Sequence, residues 1–168
     1  DGGNAVREVP VLRWVAVDAP QAVRYGSFVS GAQRFDHGMF STSPAEARAM
    51  DPQQRLLLES GYEATHGAGL RRSELLGCDI GLFVGLMNTD FASLAGSTSV
   101  YAATGSSLSV ASGRISYILG LQGPCASYVT ACSAALVASH AARRAWPRRS
   151  LGCCPPRAPP CRAAAAQT

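Results

Sequence analysis

The stretch Gly123-Pro124-Cys125-Ala126-Ser127-Tyr128-Val129-Thr130-Ala131-Cys132-Ser133-Ala134-Ala135-Leu136-Val137-Ala138 changes character at one cysteine. Gly-Pro at its start makes a turn. Ala126 to Ala131 reads as a short strand, and the alanine-rich run Ser133 to Ala142 as a helix, because Ala has the highest helix propensity. Cys132 then falls at a strand-to-helix junction. A thiol attacks well only as the thiolate, which a helix N-terminus favours through its backbone N–H groups and dipole. The same N–H groups, that of Cys132 included, can hold the oxyanion formed when a thioester carbonyl is attacked. The small neighbours Ala131, Ser133, Ala134 and Ala135 leave room for a sharp turn and an acyl chain. By local physics alone, a packed structural thiol is the commoner occupant of such a junction, since free Cys is among the most buried residue types.

Upstream, the same alternation of helix and strand signals continues. Leu108, Ala111, Ile115 and Ile118 share one helical face that Gly120 ends. A Ser/Thr/Gly-rich connection leads into that helix up to about Ser107. Ile80-Gly81-Leu82-Phe83-Val84-Gly85 is a short apolar run that suits a parallel strand buried on both faces. Ser43-Pro44-Ala45-Glu46 carries an N-cap Ser, Pro at the first helical position and Glu three after the cap, so a short helix starts there. Asp51-Pro52-Gln53-Gln54 repeats the device for a second helix, stopped by Gly67 and Gly69. Residues 1–42 read as loops with short extended pieces.

Four segments, in order, are similar to the β-ketoacyl synthase family. They are Phe35-Asp36 through Ser43-Pro44; Met50-Asp51-Pro52-Gln53-Gln54-Arg55-Leu56-Leu57-Leu58-Glu59; Tyr101-Ala102-Ala103-Thr104-Gly105 through Ala111-Ser112-Gly113-Arg114-Ile115-Ser116-Tyr117; and Thr130-Ala131-Cys132-Ser133 through Leu136-Val137-Ala138. The flavour is that of ketosynthases in modular, type I polyketide synthases, with fatty acid synthases as kin. The resemblance implies an α/β, thiolase-like layered αβαβα fold, incomplete here because only the N-terminal half is matched, over residues 1–142. It implies an acyltransferase with Cys132 as catalytic nucleophile. The acyl group arrives on the phosphopantetheine of an acyl carrier protein, and a malonyl-type extender then loses carbon dioxide and condenses with it. It also implies a homodimer, with no bound cofactor and no metal.

The resemblance breaks at three places. In this family two His residues of the C-terminal half serve the decarboxylation, and His37, His66 and His140 match neither. His140 lies two helical turns past Cys132, roughly 12 Å along the axis, and reads as a helix-packing residue, with His37 and His66 as loop or surface positions. The family usually has Asp where Val129 stands, so a buried carboxylate is expected to be missing, marking a weakened copy or a single base change. Beyond Ala142 the chain turns to Arg, Pro, Cys and Ala. Residues 143–168 are expected to have no fold, as a genuine tail or as the product of a shifted reading frame in a GC-rich gene; all fifteen basic residues of the chain are Arg. This chain alone is therefore expected not to condense. The alternative is a non-catalytic relic or interaction module that dimerises with an intact ketosynthase, while a Cys hydrolase would need a His and an acid that nothing here supplies.

Charge and composition exclude other classes. The formal net charge is +4, but six Arg lie beyond residue 142 without an acid, leaving nine basic against eleven acidic residues in the rest. The body is not a nucleic-acid binder by charge. No apolar run of about 18 residues could span a bilayer, and no signal-type segment is present, so a cytoplasmic, membrane-free protein is expected. Cys78, Cys125, Cys132, Cys153, Cys154 and Cys161 form no disulfide framework or zinc spacing, and Cys125 reads as a core thiol.

Overall fold

The structure, a computed structural model, describes residues 5–10, 24–29, 31–94, 99–145 and 164–167. It divides into two compact units, Asp1–Arg34 and Phe35–Thr168. In the first, β1 (Arg7–Glu8) pairs antiparallel with β2 (Tyr25–Gly26). The Val9 N–H donates to the Arg24 carbonyl at 2.8 Å, and the Arg7 guanidinium donates to the Phe28 carbonyl at 2.6 Å. These are the short extended pieces expected of the N-terminal region.

The second unit is organised around β3 (Leu82–Gly85), whose four residues are all buried. It is the centre of a parallel sheet of order β4-β3-β5, with β4 at Cys125–Tyr128 and β5 at Ala164–Gln167. Successive side chains of a strand point to opposite faces, and here the two faces meet different helices. Leu82 and Val84 join Leu57 and Leu58 of α2 (Pro52–Gly67) and Ile115 and Leu119 of α6 (Leu108–Leu119) in the main core. Phe83 packs instead with Ala138 and Ala142 of α7 (Ala134–Ala145). Helices thus cover both faces of β3, which explains why the sequence there is continuously apolar rather than alternating.

The caps read from the sequence are formed. The Ser43 hydroxyl accepts from the Glu46 N–H at 3.1 Å to start α1 (Pro44–Ala49), and the Asp51 carboxylate accepts from the Gln53 N–H at 2.8 Å to start α2. Gly120 ends α6 at φ 70°, a left-handed conformation that costs an L side chain energy and glycine none.

Several expectations need correction. The Ser/Thr/Gly-rich connection is not all loop, for it holds α4 (Asp90–Leu94) and α5 (Ala102–Ser106), and a further turn of helix, α3 (Arg72–Leu75), precedes β3. Side-chain hydroxyls start and line these short helices: Ser99 Oγ accepts from the Tyr101 N–H at 3.2 Å, and Ser106 Oγ donates to the Ala102 carbonyl at 2.7 Å. β4 ends at Tyr128 rather than Ala131, because the backbone leaves the extended region at Thr130 (φ −126°, ψ 40°). Past Ala142 the expectation of no structure also fails where the chain is described: α7 continues through Arg143, Arg144 and Ala145, and Ala164–Gln167 forms β5. Residues 146–163, with Cys153, Cys154 and Cys161, lie outside the described residues.

Candidate active site

Cys132 lies just past the C-terminal end of β4, at the edge where parallel α/β sheets commonly bind ligands. Ala131, Cys132 and Ser133 form one 3₁₀ turn that leads directly into α7. The turn is entered through Ala131 at φ 50°, a region that non-glycine residues seldom occupy. Such strain persists only where surrounding structure enforces it, and it concentrates at functional sites. Two hydrogen bonds from Ser133 hold the turn: its N–H donates to the Thr130 carbonyl at 3.1 Å and its hydroxyl to the same carbonyl at 2.7 Å. The Ala134 N–H donates to the Ala131 carbonyl. These bonds occupy two backbone donors that the sequence reading left free for an oxyanion. The Cys132 N–H takes no acceptor among the described residues, and the thiol is free and exposed. The arrangement therefore presents an exposed thiol on a strained turn, with the N–H of the same residue free of any acceptor among the described residues.

The junction is pinned from behind by Gly85, the last residue of β3. An added Cβ at Gly85 would lie 2.6 Å from the Ala134 carbonyl carbon and 2.6 Å from the Ala135 nitrogen. The start of α7 is thus seated backbone to backbone on the strand end. Across the ladder Gly85 pairs with Tyr128, and the Leu86 N–H donates to the Tyr128 carbonyl at 3.0 Å, so β3 also fixes the strand that delivers Cys132. Ala134, Ala138 and Ala142 form the buried face of α7, while Leu136 on the opposite side is 74% exposed.

A second polar group lies away from the cysteine, inside the helical layer. Gln54 is 2% exposed, and its amide donates to the carbonyls of Thr104 and Ser107 at 3.1 Å each. Its carbonyl accepts from Arg114 Nε at 3.0 Å, and the Arg114 guanidinium also pairs with the Glu46 carboxylate. The Asp51 N–H donates to the Gly105 carbonyl at 2.9 Å, and the Gln53 amide reaches the Asn88 carbonyl at 2.8 Å, beyond β3. Ser127 Oγ donates to Ser112 Oγ at 3.0 Å, tying β4 to α6. These bonds lock α1, α2, α5 and α6 to one another and to the loops around the sheet.

Residues 1–149 match the family described as beta-ketoacyl synthase, N-terminal domain. The chain belongs to the β-ketoacyl synthase family. Among curated relatives of this ketosynthase chain is the spectinabilin polyketide synthase system protein NorA' of Streptomyces orinoci, 46% identical over 84% of the chain and 4% of that protein. Another is the phenolphthiocerol synthesis polyketide synthase type I Pks15/1 of Mycobacterium bovis, 48% identical over 76% of the chain and 6% of that protein. Among solved structures, the ketosynthase from module 6 of the bacillaene synthase from Bacillus subtilis 168 superposes with a TM-score of 0.72 at 33% identity. That match covers 85% of this chain and 24% of the other, and the fold is thiolase-like. The chain thus spans a small part of the length of the relatives it matches.

Within this ketosynthase chain the residues singled out in the sequence take varied positions. His140 is exposed, not packed. His37 is exposed, with Nδ1 3.1 Å from the Thr42 carbonyl, and His66 stacks on Tyr62 with ring centroids 5.8 Å apart. Cys125 is exposed rather than in the core, since it opens an edge strand of the described sheet, and Val129 is 54% exposed, so the site where a buried carboxylate was expected is open. Among the described residues no group of three or more His, Cys, Asp or Glu could hold a metal, and no helix is long and apolar enough to cross a membrane. Sequence reasoning missed the seating role of Gly85 and the burial of Gln54. Gln54 could have been found, because it shares a helical face with Leu57, Leu58 and Gly61.

Proposed function

We propose that this chain carries the acyl-accepting part of a polyketide-assembly ketosynthase, with Cys132 as the nucleophile. The observation that supports it is the exposed thiol on a strained turn, next to its own unbonded N–H, at the C-terminal edge of a parallel sheet. The Cys132 thiolate attacks the carbonyl carbon of an acyl thioester on the phosphopantetheine of an acyl carrier protein. Negative charge collects on the carbonyl oxygen, to which the free Cys132 N–H can donate. The carbon–sulfur bond to the carrier then breaks, the carrier sulfur leaves as a thiolate and takes a proton from solvent, and the acyl group remains on Cys132. Covalent catalysis suits the task, because a thioester is stable enough to wait and electrophilic enough to react.

In condensation, a malonyl-type extender loses carbon dioxide, and its carbanion attacks the acyl-enzyme and expels the Cys132 thiolate, giving a β-ketoacyl product. His37, His66 and His140 give that stage no support, so the activity proposed for this chain by itself is acylation without condensation. Incubation with an acyl thioester should add one acyl mass to the intact chain, and Cys132→Ala should abolish the gain. A folded sample that gains no mass refutes the proposal. A second reading, an interaction module that pairs with an intact ketosynthase, draws on the exposure of Tyr117 (86%) and Leu136 (74%). Co-purification with an intact ketosynthase domain, unchanged by Cys132→Ala and without any acyl adduct, would favour it.

A further inference from the structure

We infer that Gly85 is a positioning residue for acyl transfer to Cys132, an inference that rests on the reading of Cys132 as the acyl acceptor. Gly85 and Phe83 share one face of β3, the face on which α7 lies. At Phe83 the packing is ordinary, side chain against the alanines of the helix. At Gly85 there is no side chain, and the helix start comes down onto the strand until the Ala134 carbonyl carbon, the Ala135 nitrogen and the Ala134 carbonyl oxygen lie 2.6, 2.6 and 2.8 Å from where a Cβ would stand. All three are backbone atoms. No rotamer change can relieve such a contact, so a methyl group there must lift the first turn of α7 by about 1 Å to reach ordinary carbon contact distance. The 3₁₀ turn bearing Cys132 is continuous with that first turn and is tied to it by the Ala134 N–H bond to the Ala131 carbonyl. Lifting the helix start therefore moves the sulfur and its N–H relative to β3 and β4.

A displacement of that size acts on reactions that need orientation. Thioester attack requires sulfur, carbonyl carbon and N–H donor to be aligned together, and a 1 Å misplacement costs on the order of a hundredfold in rate. Alkylation by iodoacetamide requires only an accessible thiolate. Gly105 supplies the control: its added Cβ would run into the Ala49 carbonyl, a still tighter backbone seat, between α5 and α1 rather than under the start of α7.

The test uses the full chain and compares wild type, Gly85→Ala and Gly105→Ala. Rates of acylation by a soluble acyl thioester and of alkylation by iodoacetamide are both measured at Cys132, per folded molecule. Gly85→Ala is expected to acylate roughly a hundredfold more slowly while alkylating within about threefold of wild type. Gly105→Ala is expected to lose stability yet keep both rates within about threefold. Acylation by Gly85→Ala at the wild-type rate, or an equal fall in both rates, overturns the inference. If Gly85→Ala does not fold, Ala134→Val, which adds two carbons to the buried face of the same first turn of α7 and must push it off the sheet, carries the test. It should slow acylation at least about tenfold with alkylation unchanged, and wild-type acylation there overturns the inference. A wild-type chain that forms no adduct refutes the reading of Cys132 itself, which separates the two failures.

Discussion

Replacing Gln54 by Leu keeps the volume of the side chain and removes every polar atom it uses. In the folded chain that side chain donates to the Thr104 and Ser107 carbonyls at 3.1 Å and accepts from Arg114 Nε at 3.0 Å, at a position only 2% exposed. Leu cannot replace any of the three bonds; the Ser107 carbonyl keeps the Val110 N–H at 3.3 Å, while the Thr104 carbonyl and Arg114 Nε lose their Gln54 partner. Each buried group left without a partner costs about 1–3 kcal/mol. Arg114 retains its pairing with Glu46, whose side chain is 26% exposed, so its loss falls at the low end. The sum is about 2–4 kcal/mol, a large fraction of the stability of an ordinary domain. With a urea m-value of about 2 kcal/mol/M, the unfolding midpoint should fall by about 1–2 M. Urea titration followed by far-UV circular dichroism measures it. A Gln54→Leu midpoint within about 0.3 M of wild type would show that the network holds nothing together.

Other expectations follow from single residues. Glu59 is held above the ordinary glutamate range, by burial first and by neighbouring Glu63 second, with Arg55 opposing. The folded chain therefore binds this proton more tightly than the unfolded one, and the contribution is present at low pH and fades as pH rises through the folded value. Glu59→Gln should gain stability relative to wild type as pH is raised from about 4 to about 7, and parallel stability curves would contradict this. Gly120→Ala must place an L side chain at φ 70° and a methyl against the Leu76 side chain, 3.2 Å from its Cα. A loss of about 2 kcal/mol, or roughly 4–8 °C in melting temperature, is expected, and an unchanged melt would refute the cap argument.

Elements with strong local signals are legible in the sequence. Ser43-Pro44 and Asp51-Pro52 announce α1 and α2 because a capping oxygen and a proline act within one turn. Leu82-Phe83-Val84 announces a doubly covered strand because only helices on both faces keep it dry. The short helices α4 and α5 are not legible: five residues show no period, and α5, with the weak helix formers Thr104, Gly105 and Ser106, is fixed by hydroxyl bonds and close contact with Ala49. The position of Cys132 at a strand-to-helix junction is legible to within a residue or two. Its surroundings are not: whether Ala131 goes to positive φ, or which N–H groups the turn engages, depends on the seat at Gly85, forty-odd residues away. Cys125 looks like a core thiol because its neighbours are small and apolar, and nothing in them says that the strand is an edge.

That edge position makes Cys125 the natural rival to Cys132, for both thiols are free and exposed, one opening β4 and the other just past its end. The folded chain of residues 1–168, treated with a limiting amount of acyl thioester and digested, can be mapped by tandem mass spectrometry, with iodoacetamide as the parallel reagent. Iodoacetamide should mark both cysteines, since it needs only access. The acyl group should be found on Cys132 and not on Cys125, because of the two only Cys132 sits on the strained turn that starts α7. An acyl group shared equally between the two, or absent from Cys132 while iodoacetamide labels it, would contradict the assignment of Cys132 as the acyl acceptor.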